Sequence, residues 1–213
     1  MMPGFKMVDG FLWPEEDYDA AAVIPSQRYD MDHAIRRCRR TEVVVQAGGN
    51  TGMWPHRMAG TFKSVHTFEP HPKLYQCLIY NTYGLGKVIT YPYALGDKEG
   101  RAALDFPEGQ RNLGAVCLRP NGGPGEVAIW TIDSLALCAC DLIQLDIEGY
   151  EPLALLGAKE TIAKYRPVLM LEDKNLSAKY GYPQGFWRDH PALPGYKLAD
   201  TINRDVVLVP EEK

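Results

Sequence analysis

Two acidic side chains, Asp146 and Glu148, lie two residues apart where a short, mostly apolar run, residues 141–147, comes to its end. If this run is a strand, both side chains lie on one face, because residues two apart in a strand point the same way. Two carboxylates so placed repel each other unless a cation, a metal ion or a shared proton relieves the repulsion. Such a pair can act as a general base toward a hydroxyl group. The structural alternative is that Glu148 caps the following helix and Asp146 accepts backbone hydrogen bonds.

A second pattern predicts a pocket for a nucleoside. The glycine-rich segment 46–52 follows an apolar run and is typical of a tight turn whose backbone amides a ligand can approach. Glu69 lies 21 positions after Gly48, the separation at which an acidic side chain reaches both hydroxyls of a ribose. The turn and the acid together indicate a ligand that contains adenosine. The pyrophosphate fingerprint G-x-G-x-x-G is missing, since Asn50 holds its central place, so the turn makes room for an amino-acid group, as in S-adenosylmethionine (SAM).

Further candidates lie near this pocket. Asn112 belongs to the segment 106–126, rich in glycine and proline, which we expect to overhang the pocket. Its amide either orients a substrate hydroxyl or serves a turn, and the sequence favours neither. Glu172, at the end of a later apolar run, is a weaker third acid. The histidines and cysteines lack the spacing of a metal site. A divalent cation held by Asp146, with help from Glu148 or Glu172, is therefore the alternative to the metal-free mechanism that we favour.

Composition limits the class of protein. The chain has 213 residues, of which 46% are apolar, which suits one domain with its own core. Its net charge of −4 argues against nucleic acid as the main partner. The sequence has no apolar run approaching the roughly 18–20 residues of a membrane span. Five cysteines, sparse and odd in number, favour a reducing compartment. We expect a soluble, cytoplasmic protein with an N-terminal arm, residues 1–31, packed on a domain of residues 32–213; a homo-oligomer is left open.

Apolar runs and helical periodicity alternate along most of the chain. Predicted strands cover residues 43–45, 65–68, 88–95, 141–147, 168–171, 196–201 and 206–209, and predicted helices cover 32–40, 72–81 and 150–165. Repeated β-α-β order requires a doubly wound parallel sheet, and the last two strands add an antiparallel pair. Pro92 lacks an amide hydrogen and predicts that its strand lies at a sheet edge. Residues 114–118 and 126–131 are expected to pair as a hairpin over the sheet. Ligands of such sheets bind beyond the carboxyl ends of the strands.

Four segments resemble the FkbM family of SAM-dependent methyltransferases, in the order and at the intervals of that family. They are Val44-Val45-Gln46-Ala47-Gly48-Gly49-Asn50-Thr51-Gly52, Phe68-Glu69-Pro70-His71-Pro72, Ala94-Leu95-Gly96-Asp97 and Asp141-Leu142-Ile143-Gln144-Leu145-Asp146-Ile147-Glu148-Gly149-Tyr150-Glu151. The resemblance covers about residues 41–210. It implies an α/β, Rossmann-like class I methyltransferase fold: a seven-stranded mixed sheet of order 3-2-1-4-5-7-6 with helices on both faces.

The resemblance also implies O-methylation of a hydroxyl on a sugar or another natural-product scaffold, with SAM as cofactor. The catalytic candidates are then Asp146, Glu148 and Asn112. By position, the methionine part of SAM would lie along the turn, the ribose at Glu69 and the adenine near residues 94–97. The implied cofactor-binding residues are Gln46, Gly48, Gly49, Asn50, Gly52, Glu69, Pro70, Ala94, Leu95 and Asp97.

The sequence departs from the family pattern at two positions. The family usually has Asp where this chain has Gln46 and Lys where it has Gln144, so a negative and a positive charge are both replaced by amides. These departures motivate an alternative of another class, a SAM- or nucleoside-binding module without catalysis. A dinucleotide-dependent oxidoreductase is a third interpretation, which the missing pyrophosphate fingerprint disfavours.

Overall fold

The computed structural model describes residues 3–27, 29–106, 112–119 and 127–211. Its strands are β1 (Phe5–Val8), β2 (Phe11–Pro14), β3 (Val43–Ala47), β4 (Ser64–Phe68), β5 (Val88–Tyr91), β6 (Ala94–Leu95), β7 (Gly100–Ala102), β8 (Leu104–Asp105), β9 (Cys117–Leu118), β10 (Val127–Trp130), β11 (Leu142–Leu145), β12 (Val168–Glu172), β13 (Tyr196–Ile202) and β14 (Asp205–Pro210). Its α-helices are α1 (Asp19–Gln27), α2 (Asp32–Ile35), α3 (Met53–Ala59), α4 (Pro72–Thr82), α5 (Glu151–Leu156) and α6 (Lys159–Tyr165).

A seven-stranded mixed sheet forms the centre of the molecule, in the order β13-β14-β12-β11-β3-β4-β5. The strands from β12 to β5 are parallel, whereas β14 runs antiparallel to both of its neighbours. Counted along the chain within this sheet alone, the order reads 3-2-1-4-5-7-6 from the β5 edge. β3, β11 and β12 are buried along their whole length, as expected of apolar strands covered on both faces. The predicted fold class is confirmed.

Helices cover the two faces of the sheet and bury two separate apolar clusters. On one face, Ile143 and Leu169 pack with Leu155 of α5 and Ile162 of α6. On the other face, side chains of the same strands pack with residues of α2 and α3. Successive side chains along each strand point to opposite faces of the sheet and so belong to opposite clusters. The polar side chains at the carboxyl ends of β11 and β12 lie on the face covered by α2 and α3. None of the described helices has the length and apolar character needed to cross a membrane.

The region after β5 differs from the prediction. The expected strand 88–95 is two elements, because β5 ends before Pro92 and β6 joins another sheet, of order β6-β10-β7. The edge position of β5 is as Pro92 predicts. The hairpin predicted for 114–118 and 126–131 is wrong: β10 pairs parallel to β6 and antiparallel to β7, while β9 pairs with β8. The apolar side chains of these short strands pack with Val127 and Ile129 of β10 in a cluster of their own, which accounts for this pairing.

Two helices are shorter than predicted. In place of helix 32–40, α2 is a single turn, and Arg37 donates to the carbonyl oxygen of His33 at 2.6 Å. The predicted helix 150–165 divides at Gly157 into α5 and α6. A Cβ on Gly157 would lie 2.0 Å from the carbonyl oxygen of Gly96, so this close backbone approach fixes the break.

The N-terminal segment has more regular structure than its sequence predicted. β1 and β2 form a hairpin, and α1 follows it. Trp13 of β2 is fully buried in a small cluster with Ala20, Ala21 and Met53. The side chain of Asn81 in α4 accepts from the amide of Leu12 at 2.7 Å and donates to its carbonyl oxygen at 2.9 Å. The hairpin is thereby joined to the central domain by backbone-like hydrogen bonds.

Candidate functional site

The glycine-rich turn after β3 lies against the ends of two neighbouring strands. The amides of Gly48 and Gly49 both donate to the carbonyl oxygen of Phe68, at 3.1 and 2.8 Å. Gly48 has a φ of +82°, and a Cβ on it would lie 1.9 Å from the carbonyl oxygen of Asp146. Only glycine fits this position, because both its left-handed backbone and its contact with β11 exclude a side chain.

Gln46 lies behind this turn. Its side chain is fully buried, and its Nε2 donates to the carbonyl oxygen of Gly48 at 2.9 Å. Its Oε1 accepts from the hydroxyl of Thr67 on the next strand. Gln46 thus holds the turn from inside the sheet. Gln144 is its direct neighbour in register on β11, and its buried Oε1 accepts no hydrogen bond from the described residues.

Glu69 is buried where β4 ends. One carboxylate oxygen accepts from the amide of Asn50 at 2.7 Å and the other from the amide of His71 at 2.8 Å. Burial raises the pKa of Glu69 to about 7, although both backbone hydrogen bonds oppose the rise. The carboxylate therefore bridges the glycine turn and the start of α4, and its charge changes near neutral pH.

Three carboxylates form a row across the strands beyond the turn. Glu172 of β12 pairs in register with Asp205 of β14. Asp146 directly follows β11, whose last residue pairs with the residue before Glu172. Neighbouring strands lie about 4.8 Å apart, so the three side chains are stacked side by side on one face. Burial raises the pKa values of Asp146 and Asp205, to about 7 for Asp205, where the charge of Asp146 adds to the effect.

Glu148 joins this row through an unusual backbone conformation. Its φ is +56° and that of Gly149 is +98°, so the chain turns sharply before α5. Burial, with Asp146 second, raises the pKa of Glu148 to about 7. The amides of Ile147 and Gly149 donate to a carboxylate oxygen of Glu151, at 2.8 and 3.3 Å. Glu151 thus holds the turn that precedes α5, and no side chain, Glu148 included, caps this helix.

Two cations face the carboxylates. Lys174 forms an ion pair with one oxygen of Glu172. Lys174 and Arg204 both oppose the rise in the pKa values of Asp146 and Glu148. Asp146, Glu148 and Glu172 each place a carboxylate oxygen within 4.8 Å of the other two. This grouping is dense enough to hold a proton between two carboxylates, or a cation among three.

Two adjoining cavities meet at these residues. The apolar cavity has a volume of about 540 Å³ and lies mostly among apolar and aromatic side chains, among them Phe68, Pro70, Tyr93, Ala94, Leu95 and Leu118. The polar cavity has about 1300 Å³ and is bounded by the glycine turn, the carboxylates, Lys174 and Arg204. Both cavities are lined by Gly48, Glu69, Gly114, Asp146 and Glu148. The site is therefore one elongated space, apolar at one end and charged at the other.

Most of the predicted site residues line this space. They are Gly48, Gly49, Asn50, Glu69, Pro70, Ala94, Leu95, Asn112, Asp146 and Glu148. Gln46, Gly52 and Asp97 line neither cavity: Gly52 packs on Leu78 of α4, and Asp97 is exposed after β6. The Oδ1 of Asn112 accepts from the amide of Gly114 at 2.8 Å, which is the turn role weighed from the sequence.

Other lining residues escaped the sequence interpretation. Tyr150 and Tyr93 line the apolar cavity, and Lys174, Arg204 and Asp205 line the polar one. Arg204 precedes β14 and Asp205 is its first residue, and both had been interpreted only as part of a tight turn. The sequence carried no signal for them, because the pairing of Glu172 with Asp205 depends on the register of the sheet.

The comparisons with known proteins agree with this architecture. The pattern of the methyltransferase FkbM domain matches residues 44–191. The solved structure of the methyltransferase FkbM from Methylobacillus flagellatus KT is similar, with a TM-score of 0.52 and 20% identity over 79% of this chain and 43% of that one. The chain thus spans less than half of that protein. No curated protein matches the sequence.

Two further solved structures share the fold over nearly the whole chain. The precorrin-6y C5,15-methyltransferase from Geobacter metallireducens GS-15 has a TM-score of 0.53 and 12% identity, covering 94% of this chain and 92% of that one. The precorrin 8W decarboxylase from Methanobacterium thermoautotrophicum has a TM-score of 0.50 and 14% identity, covering 98% of both. At such identities the similarity shows the fold and no more.

Proposed function

The chain belongs to the FkbM methyltransferase family, and we propose that it transfers the methyl group of SAM to a hydroxyl oxygen of a small molecule. The observation that carries this proposal is the pair of joined cavities with Glu69 at their junction. The apolar end, lined by Phe68, Tyr93 and Leu95, suits an adenine ring, and the charged end suits an amino-acid group together with a hydroxylated acceptor.

The residues present fit SAM in three places. Gly48 and Gly49 line the polar cavity with backbone alone, so the amino-acid end can lie along the turn. Glu69, held by two backbone amides, can accept hydrogen bonds from both ribose hydroxyls. The carboxylates of the polar cavity favour a ligand with a positive charge, which suits the sulfonium. When bound, SAM supplies an activated methyl group, so the protein's main task is to align the acceptor oxygen with it.

Asp146 and Glu148 are the proposed catalytic residues. A hydroxyl that accepts a methyl group has to lose its proton, and a carboxylate with a pKa near the working pH is well suited to take it. Glu148, with its pKa raised to about 7 by burial and by Asp146, has that property. Lys174 and Arg204 balance part of the charge as the carboxylate changes state. We therefore assign the proton to the carboxylate pair.

A small polyhydroxylated acceptor, such as a carbohydrate, fits the polar cavity best. That cavity combines carboxylates, Lys174, Arg204 and Asn112 with the indole of Trp54. Such a mixture of hydrogen-bonding groups and an aromatic face is suited to hydroxyl groups and to the apolar face of a sugar ring.

The alternative, a binding module without catalysis, was motivated by Gln46 and Gln144. Both amides lie inside the sheet, and neither lines a cavity. The walls of the site therefore keep their acidic and glycine residues despite the two departures, which supports an active enzyme.

Calorimetric titration with SAM and with S-adenosylhomocysteine tests the cofactor. We expect saturable binding of both, strongly weakened in Glu69→Ala and unchanged in the control Glu99→Ala, whose side chain is exposed outside both cavities. Incubation of the protein with methyl-labelled SAM and a mixture of small hydroxylated molecules then tests methyl transfer. Glu148→Gln should still bind SAM but should form no labelled product. An absence of SAM binding by the wild-type protein would refute the proposal, and unchanged turnover in Glu148→Gln would remove its catalytic role.

A further inference from the structure

The carboxylates of the polar cavity exceed the cations beside them. Its lining has six acidic residues, Asp19, Glu69, Asp146, Glu148, Glu172 and Asp205, against two basic residues, Lys174 and Arg204. With all eight charged, the lining carries a net charge of −4. In a partly buried place this excess is unfavourable, because the surroundings screen it less than water does. A bound divalent cation would offset half of this excess charge.

A second observation points to the same conclusion. Glu172 is only 3% exposed, and Lys174 pairs with just one of its two carboxylate oxygens. The other oxygen, Oε2, is inaccessible to solvent and accepts no hydrogen bond from any residue in the described ranges. A buried carboxylate oxygen without a hydrogen-bond partner is energetically unfavourable, and such atoms are rare in native proteins. This oxygen belongs to a side chain that lines the polar cavity.

We propose that Asp146, Glu148 and Glu172 bind one oxygen-preferring divalent cation in the polar cavity. Each of the three offers a carboxylate oxygen, and these oxygens lie within 4.8 Å of one another. Oxygen ligands lie about 2.0–2.1 Å from Mg²⁺ and about 2.3–2.6 Å from Ca²⁺. Three oxygens this close together can share one such ion after a small movement of their side chains.

The three ligands come from two adjacent strand ends and one tight turn, which gives the site a defined shape. β11 and β12 pair in register up to these residues, so Asp146 and Glu172 are set by the sheet itself. The left-handed conformation of Glu148, with Gly149 after it, turns the chain so that its carboxylate closes the group. Such a conformation is unfavourable for a non-glycine residue, and it occurs most often at functional sites.

The site would be incomplete with three carboxylates alone, since such ions take six or more oxygen ligands. Its remaining positions face the polar cavity, where water or a hydroxylated ligand can fill them. That an acceptor hydroxyl takes one of these positions rests on the proposed methyl transfer. Binding of the ion does not, so the two can be tested apart.

Titration of the purified protein with Mn²⁺, followed by calorimetry and by the electron paramagnetic resonance of the free ion, tests the site. We expect one saturable Mn²⁺ per chain. Glu172→Gln keeps the size of the side chain and should weaken Mn²⁺ binding at least about tenfold. The matched control, Glu99→Gln, is exposed outside both cavities and should bind Mn²⁺ as the wild type does. Lys174→Met should tighten binding, because Lys174 competes with the ion for Glu172.

Two outcomes would overturn the inference. One is the lack of saturable binding up to about 1 mM Mn²⁺, the weak end of protein sites for such ions. The other is an equal affinity in Glu172→Gln and Glu99→Gln. If Glu172→Gln does not fold, as judged by circular dichroism, Glu148→Gln replaces it with the same expectation. SAM binding measured on the same samples without metal separates a failure of this site from a failure of the proposed function.

Discussion

The affinity for adenosine should depend on pH through Glu69. In the free protein, burial raises the pKa of this carboxyl to about 7. A ribose that donates two hydroxyl hydrogens to Glu69 binds its ionised form and disfavours the protonated one. Binding should therefore be full above pH 7 and be lost as the pH falls through this pKa.

The magnitude follows from the same value. Each pH unit below the pKa reduces the ionised fraction, and with it the affinity, about tenfold. Between about pH 8 and about pH 5, the dissociation constant for adenosine should thus rise about a hundredfold, which is two pKa units of linkage. Glu69→Gln should bind adenosine more weakly at pH 8. Its NH₂ group would face one of the two backbone amides that donate to Glu69 in the wild type, and this lost hydrogen bond is unfavourable by about 1–3 kcal/mol. Its affinity should not change with pH.

Calorimetry with adenosine, S-adenosylhomocysteine and SAM over this pH range is the assay. Adenosine lacks the amino-acid part, so it reports Glu69 without the carboxylates of the polar cavity. SAM should show the same dependence plus a further one, because its positive charge favours ionised Asp146 and Glu148. The control Glu99→Gln should follow the wild type. A wild-type affinity for adenosine that is constant from pH 5 to 8, or one that varies equally in Glu69→Gln, would refute the reasoning.

Three further expectations concern stability and the sheet. Gly48→Ala should lower the free energy of unfolding by about 1–3 kcal/mol or more, because the φ of Gly48 is +82° and the new Cβ would lie 1.9 Å from the carbonyl oxygen of Asp146. A urea unfolding curve that matches the wild type would contradict this. Gln144→Lys should destabilise by about 3–5 kcal/mol as an unpaired buried charge, and Gln46→Asp added to it should restore much of the loss. Equal urea midpoints for the single and double variants would argue against this pairing. The free energy of unfolding of the ligand-free protein should fall as the pH rises from about 5 to 8. Burial raises the pKa of Glu151 to about 8, so over this range its carboxyl keeps a proton in the folded state that it loses on unfolding. Thermal melts of Glu151→Gln, which keeps an acceptor oxygen, should show a flatter dependence, and an unchanged slope would exclude Glu151 as its source.

Much of the fold could be predicted because local chemistry determines it. The short run of valines at residues 43–45 suits only a strand covered on both faces, and it lies at the middle of the sheet. Pro92 cannot donate a ladder hydrogen bond, and the strand that stops before it lies at the sheet edge. That Glu69 and Asp146 lie near each other was predictable, since the carboxyl ends of parallel strands meet at one edge of the sheet.

The remaining features depend on contacts between distant segments. The row formed by Asp146, Glu172 and Asp205 exists only because three strands far apart in the sequence share one register. A turn sequence gives no sign of what lies opposite it, so Asp205 was missed. The pairing of β10 with β6 and β7 likewise depends on an apolar cluster whose members come from several short segments.

Register also changes what the two departures from the family pattern mean. In the sequence, Gln46 and Gln144 are nearly a hundred residues apart and look like two separate losses. In the sheet they are direct neighbours. Where the family has Asp and Lys, opposite charges would lie side by side, so this chain replaces a buried charge pair with two amides. Exchanging both members of such a pair can be nearly neutral, whereas exchanging one is not.

Asn81 connects the N-terminal hairpin to the glycine-rich turn of the proposed nucleoside site. Besides its two hydrogen bonds to Leu12, its Nδ2 donates to the carbonyl oxygen of Thr51 in the glycine-rich turn, at 2.6 Å. One amide thus holds both segments, and undocking of the hairpin would leave the turn less firmly held. By thermodynamic reciprocity, any ligand that binds the ordered turn more tightly also strengthens hairpin docking by the same free energy. Docking of the N-terminal hairpin should therefore increase when a ligand binds at the glycine-rich turn. Protease cleavage near Leu12 should then become slower as the ligand concentration rises.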